Sequence, residues 1–451
     1  MKEYDLIIIG GGRASSLASK VGKSGKKVAL IERDSLGGTC ANRGCVPSKL
    51  LIGYTDVIRT IKESNRHYIN SSIDKIDIEK IFNTNNNFID RVDENYKSKL
   101  NENVTLFRGV GTFVSDTVIT VNNEKITAPK IVIATGTSPK KVPFENAWSS
   151  DDIFPIKKIP KSITIVGSGF IACELANVFD ALGVKTKLVV RGENILSNED
   201  EEISTVFKEQ FSKKIDIEFN TVIKDAQYDG YCFKMILENK NNQSSEYKSE
   251  ALLYAIGRES NAQSLHLENT SIKIDDRGFI KRDEFFQTDA KGVYVVGDAS
   301  GEHMLQHAAS YEMNYLYKIL FENEKNPLEF KYMPHAVFSD PEIASVGISE
   351  QEAKDKDLDF VVSKTDWLAS AKAQSTKLKY PFTKFIVEKK SYKILGCHMI
   401  GPQSSTMIHQ VLSVMHIDND IRHLKEMLYI HPALSESILP ASINAIKKIE
   451  Q

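Results

Sequence analysis

The apolar positions of this chain fall into short runs that stop abruptly at glycine. Tyr4-Asp5-Leu6-Ile7-Ile8-Ile9 leads straight into Gly10-Gly11-Gly12. A second run, Val28-Ala29-Leu30-Ile31, stops at Glu32. Short, β-branched-rich runs of this kind predict strands buried on both faces, and the stretch between them fits one crossover helix. The pattern then recurs. Ile163-Thr164-Ile165-Val166 enters Gly167-Ser168-Gly169-Phe170-Ile171-Ala172, and Lys187-Leu188-Val189-Val190 stops at Arg191. Residues 50–105 read as helical and polar, with an asparagine-rich patch at Asn83, Asn85, Asn86 and Asn87. The stretch Glu238 to Glu250 is charged and polar and predicts a surface hairpin loop. The last part of the chain reads as a mixed sheet with helices.

Each glycine cluster sits where a strand becomes a helix, the place where a dinucleotide pyrophosphate binds. Gly10 permits the tight turn, and Gly12 lets the backbone approach the pyrophosphate. Glu32 lies at the position of the acid that accepts from ribose hydroxyls. Ser15 replaces the third glycine, which predicts a slightly looser helix–strand contact. In the second copy Gly167, Gly169 and Ala172 take these places, with Phe170 and Glu174 on the helix. The acid is absent there and Arg191 stands instead. A guanidinium suits a 2′-phosphate, so NADPH is expected over NADH.

Between the two copies lies Gly37-Gly38-Thr39-Cys40-Ala41-Asn42-Arg43-Gly44-Cys45-Val46-Pro47-Ser48-Lys49. Residues five apart on a regular helix rise ~7.5 Å. That exceeds the roughly 7 Å limit on Cα separation for a disulfide. Cys40 and Cys45 therefore cannot bridge from one regular helix. Pro47 suits a first helical turn, so Cys45 is expected on an irregular or distorted first turn. Partial positive charge there favours a thiolate. A redox dithiol beside one of two dinucleotide motifs makes FAD and a nicotinamide nucleotide the natural cofactors.

With these motifs the chain resembles the class I pyridine nucleotide-disulfide oxidoreductases. That family includes glutathione reductase, lipoamide dehydrogenase, mycothione reductase and mercuric reductase. Further motifs arrive in the family's order: Ala134-Thr135-Gly136-Thr137-Ser138-Pro139, Ala255-Ile256-Gly257-Arg258 with Asn261, Gly292 to Asp298, and His431-Pro432-Ala433-Leu434-Ser435-Glu436. The resemblance implies an α/β fold of two Rossmann-like dinucleotide-binding domains, for FAD and NAD(P), plus a C-terminal α+β dimerisation domain. The expected segments are 1–150 for FAD and the redox pair, 151–262 for NAD(P), 263–331 for further FAD contact and 332–451 for the dimer interface.

Roles follow from the resemblance. Cys45 is expected to face the flavin and form the charge-transfer complex. Cys40 is the interchange thiol. His431, oriented by Glu436, is its acid–base partner and reaches in from the other subunit of a homodimer. Lys49 and Glu174 form the ion pair near the flavin edge. Gly38, Thr39, Thr135, Gly136 and Asp298 are further FAD contacts, and Gly257 joins the NAD(P) site. Phe170 sits where relatives gate the nicotinamide.

The net charge of −2 gives no bulk attraction to nucleic acid or membrane. No apolar run approaches the ~20 residues of a membrane span. Strand one begins so early that no signal peptide is expected, and five cysteines with one redox-spaced pair suit the cytoplasm. No metal site is expected. Arg43, between the cysteines, either alters substrate charge preference or points to solvent. The expected activity is NAD(P)H-driven reduction of a small disulfide. Two alternatives stand: an NAD-linked dihydrolipoyl dehydrogenase, and a flavoprotein redox sensor without turnover.

Replacing Arg191 with glutamate should raise the ratio of NADH to NADPH efficiency. Steady-state kinetics with both nucleotides checks this, and an unchanged ratio refutes the assignment.

Overall fold

Leu6–Ile9 becomes the central strand of a five-stranded parallel sheet, in the computed structural model that describes residues 1–451. Its neighbours are Val28–Glu32 and Ile131–Ile133, with Val104–Arg108 and Val293–Val295 at the edges. The run is apolar throughout because both faces are covered. Ile7 and Ile9 enter one apolar cluster with Ile131, Ile133 and Val295. Leu6 and Ile8 enter another, where the helices Ser15–Lys23 and Gln306–Phe321 bring Leu17, Val21, Met313 and Leu316. Alternate side chains of one strand thus serve two cores.

The second glycine motif opens a separate parallel sheet. Its strand order is Trp148–Ser149, Ala251–Tyr254, Ser162–Val166, Lys185–Val189 and Asp216–Glu218. Trp148–Ser149 already pairs with this sheet, just ahead of the expected boundary at 150. The polar stretch after Glu238 is not simply a loop. Ser244–Ser249 is a strand that pairs antiparallel with Phe233–Asn239. Its side chains are largely exposed, so its polarity reflects an edge strand with little to bury.

From His335 onward the chain forms an antiparallel sheet, ordered His335–Val337, Ile343–Gly347, Ile394–Ile400, Phe382–Glu388 and Phe360–Asp366. The helices Ser404–Ile417 and Ile438–Glu450 share its apolar cluster. No helix is long and apolar enough to cross a membrane.

A buried charge network joins this sheet to the helix Glu201–Phe211. Lys384 is 1% exposed, and its ammonium bonds Asp200 at 2.9 Å, Glu202 at 2.9 Å and Glu350 at 2.7 Å. Asp200 caps the helix by accepting from the Glu202 N–H. Burial works against ionisation of Asp200, but the bond and charge of Lys384, with His398 and the Glu350 N–H, together outweigh it and hold the carboxyl below its ordinary range.

Lys384→Met should destabilise the fold by about 3–5 kcal/mol, because three carboxylates lose their buried counter-charge. The folded-state pKa of Asp200 is depressed. Its contribution is therefore present above the ordinary aspartate pKa and is lost as pH falls through the folded value. Thermal melts should show the gap between wild type and variant closing toward acid pH.

Candidate active site

The helix carrying the thiols is broken between them. Gly38–Asn42 forms one short helix and Cys45–Lys62 the next, with Arg43 and Gly44 between. Cys45 is the first residue of the long helix, whose opening turn is regular, with the Ser48 N–H bonding the Gly44 carbonyl at 3.0 Å. The expected irregularity thus falls just ahead of Cys45 and not within its first turn. At Gly44 the backbone turns to φ −133° and ψ −116°, outside helical values. Arg43 lies at the surface, partly exposed. Its guanidinium pairs with Asp34 in the turn after Val28–Glu32.

Both cysteines are free thiols, and their side chains hydrogen-bond each other. That bond, with the Lys49 ammonium, brings Cys45 down to about 7 against the effect of burial. The same bond, together with burial and the charge on Cys45, pushes Cys40 far up. One sulfur is thus readily a thiolate and the other keeps its proton. Lys49 lies one turn beyond Cys45. Its ammonium meets Glu174 Oε2 at 2.6 Å, and Glu174 Oε1 accepts the Phe338 N–H at 3.0 Å. Burial raises the Glu174 carboxyl, opposed by Lys49 and by that N–H. The ion pair links the redox helix to the helix Phe170–Ala181 of the second sheet.

The two glycine turns use the same device. A Cβ on Gly10 would meet the Ala134 carbonyl at 2.2 Å, and one on Gly167 would meet the Ala255 carbonyl at 2.4 Å. Around Gly12 only the Gly38 Cα comes near, at 3.7 Å, and Gly169 has nothing within 4 Å. These are open backbone faces at helix starts, as a pyrophosphate requires. Ser15 does not loosen the packing. It is 3% exposed, and its hydroxyl donates to the Gly11 carbonyl at 2.5 Å and the Gly12 carbonyl at 3.0 Å. Glu32 accepts the Gly11 N–H at 2.6 Å and the Asp34 N–H at 2.8 Å, and burial pushes its carboxyl up.

Beyond the first turn, the Thr39 carbonyl closes the short helix by accepting the Arg43 N–H at 2.8 Å. The loop with Thr135 and Gly136 is pinned by Asn261, whose amide donates to the Thr135 carbonyl at 2.8 Å. Thr137 donates to Asp298 at 3.2 Å and accepts from Arg258 at 2.8 Å. Burial raises Asp298. An open cleft runs past Gly10, Glu32, Thr135 and Asn261. The Thr135 hydroxyl is buried there with no partner in the chain. An orphaned hydroxyl, a glycine cradle and a buried acid along one cleft suit an adenine dinucleotide.

On the second sheet, Ala172 and Glu174 are buried, while Phe170 is 46% exposed at the helix start. Gly257 has φ +111°, and a Cβ there would meet only the Lys140 side chain, at 3.7 Å. Arg191 is exposed just past Lys185–Val189. Far along the chain, His431 Nδ1 bonds Glu436 Oε1 at 2.8 Å, and Glu436 Oε2 accepts the Ala433 N–H at 2.8 Å. The bond from His431 and that N–H hold Glu436 below its ordinary range. His431 is 76% exposed and bonds neither thiol of its own chain. Its neighbours Leu428 and Ile430 are 97% and 81% exposed.

Residues 4–312 match the family described as pyridine nucleotide-disulphide oxidoreductase, and residues 333–442 match its dimerisation domain. The chain belongs to this family. Among relatives, the dihydrolipoyl dehydrogenase of Buchnera aphidicola subsp. Acyrthosiphon pisum is 32% identical, with 96% of this chain and 94% of the relative covered. The mycothione reductase of Mycobacterium tuberculosis (strain H37Rv) is 32% identical, covering 97% and 98%. The mercuric reductase of Staphylococcus aureus is 27% identical, covering 100% and 84%. The HOCl-induced flavoprotein disulfide reductase RclA from Escherichia coli shares the fold, with TM-score 0.86, 24% identity and 98% and 99% coverage. The chain is therefore an FAD-dependent disulfide oxidoreductase that uses NAD(P)H.

Phe338, whose N–H holds Glu174, carries no signal in the sequence. Nothing in its local pattern points to Lys49, because the contact spans two domains. In the reduced oxidoreductase, Cys45 should ionise with a midpoint near 7. Thiolate ultraviolet absorbance, with Cys45→Ser as the blank, reads this directly. Lys49→Met should move the midpoint upward, and superimposable curves would remove Lys49 from the account.

Proposed function

We propose that this oxidoreductase is an NADPH-dependent reductase of a small disulfide, with Cys45 as the flavin-facing thiolate and Cys40 as the thiol that meets substrate. The observation that carries this is the placement of two free thiols around a helix start, with Cys45 as its first residue and the Lys49 ammonium, paired with Glu174 at 2.6 Å, one turn on. Residues 1–150 and 263–331 would hold FAD, 151–262 the nicotinamide nucleotide, and 332–451 the partner subunit. Gly10, Gly12, Gly38 and Thr135 suit the FAD pyrophosphate and its surroundings, and Glu32 suits its ribose. Bound FAD supplies the two-electron link between nicotinamide and sulfur. Arg191, exposed and without an ion-pair partner in the chain, supports NADPH.

The chain's own chemistry then follows. Cys40 keeps its proton, so its attack on a disulfide needs a base. His431 fits that need. Glu436 engages Nδ1, which leaves Nε2 to take the Cys40 proton. Its exposure, and its lack of a bond to either thiol of its own chain, support delivery to the dithiol of a second copy. Cys40 forms a mixed disulfide with one half of the substrate, and the other half leaves as a thiolate that His431 protonates. The Cys45 thiolate then attacks Cys40, restores the Cys40–Cys45 disulfide and expels the second half as a thiolate, which takes its proton from water. One dithiol and one substrate disulfide give one protein disulfide and two substrate thiols.

An NAD-linked dihydrolipoyl dehydrogenase is the second reading, supported by relatives of that name at 32% identity. NADPH and NADH oxidation against lipoamide, glutathione disulfide and other small disulfides separates the two. Lipoamide turnover led by NADH would replace the first reading. His431→Gln should leave flavin reduction intact and slow dithiol–disulfide exchange by about 10²- to 10⁴-fold. Stopped-flow measurement of the two half-reactions checks this, and equal loss in both would remove His431 from its role.

A further inference from the structure

The Lys49–Glu174 pair is held from a third direction that neither nucleotide motif contains. Phe338 follows the strand His335–Val337 of the C-terminal sheet. Its amide N–H donates to Glu174 Oε1 at 3.0 Å. Its ring centroid lies 4.7 Å from the Lys49 ammonium. One residue thus grips both members of the pair, by backbone on the carboxylate and by ring on the cation.

Lys49 needs such a hold. Its ammonium sits on a flexible four-carbon stem with several rotamers. Glu174 fixes one side of it. The ring face attracts the cation from another side without offering a competing negative charge, and it displaces water there. The charged and titratable groups that face Cys45 are Cys40, Lys49 and Glu174, and Asp298 faces Cys40. Lys49 is the single cation in this set. Wherever its ammonium rests, the electrostatic support of the Cys45 thiolate follows.

We infer that Phe338 is a positioning residue for the redox pair: it holds the Lys49 ammonium where it supports Cys45 as a thiolate. The C-terminal sheet thereby tunes the dithiol of its own chain. This rests on the reading of Cys45 as the working thiolate.

The test is a pH titration of the Cys45 thiolate in reduced holoenzyme, by ultraviolet absorbance with Cys45→Ser as the blank. Phe338→Leu keeps the amide N–H and an apolar side chain but removes the ring face. Phe338→Tyr restores the ring. The leucine variant should raise the midpoint and lower the thiolate population at neutral pH by about threefold. The tyrosine variant should return it to the wild-type value. A leucine curve that overlays wild type, with a normal wild-type midpoint near neutrality, overturns this inference alone. A tyrosine variant shifted as far as leucine also overturns it, because the effect would then be packing. A wild-type thiol that ionises only at ordinary cysteine pH overturns both this inference and the role of Cys45.

Discussion

Gly12 and Gly38 approach so closely that a Cβ on Gly38 would meet the Gly12 Cα at 2.9 Å. This backbone contact sets the short redox helix directly against the dinucleotide turn. The Gly37 N–H bonds the Gly11 carbonyl at 2.9 Å, and the Glu32 carboxylate takes the Gly11 N–H at 2.6 Å. The glycine turn, Glu32 and the thiol-bearing helix are therefore tied into one unit. A side chain at Gly38 would press on the Gly12 backbone and force the two apart. Arg43 adds a second tie, because its pair with Asp34 anchors the break between the helices to the same turn.

Placed on that base, the thiols gain their difference from a few neighbours. Cys45 begins a long helix and has Lys49 one turn away, so negative charge is favoured there. Cys40 also feels Lys49, but its contact with Cys45 and its burial outweigh that and push its thiol up. The ammonium is itself kept in place by a buried carboxylate from the nucleotide sheet and a ring from the C-terminal sheet. The redox step thus depends on the docking of three segments distant in sequence. The Lys384 network serves that docking, joining the C-terminal sheet to the helix that begins at Glu201.

Much of this was legible in the chain. Runs that end at Gly10 and Gly167 are strands because an apolar stretch too short for a helix must be covered on both faces. The need to break the helix between Cys40 and Cys45 follows from rise per residue alone. Other readings failed for local physical reasons. Ser15 looked like a loss of close packing, yet its hydroxyl turns back onto the carbonyls of the glycine turn and fits. Ser244–Ser249 looked like a loop because an exposed edge strand needs few apolar side chains.

The sequence by itself determined the repeated strand–glycine–helix units, the dithiol spacing and the His431–Glu436 pair, because each depends on neighbours within a few turns or one crossover. The tertiary structure alone decided what Arg43 binds and what holds Lys49. Those outcomes depend on charges and rings brought together from residues as far apart as Lys49, Glu174 and Phe338. Electrostatic energy falls with distance in space and is indifferent to distance along the chain.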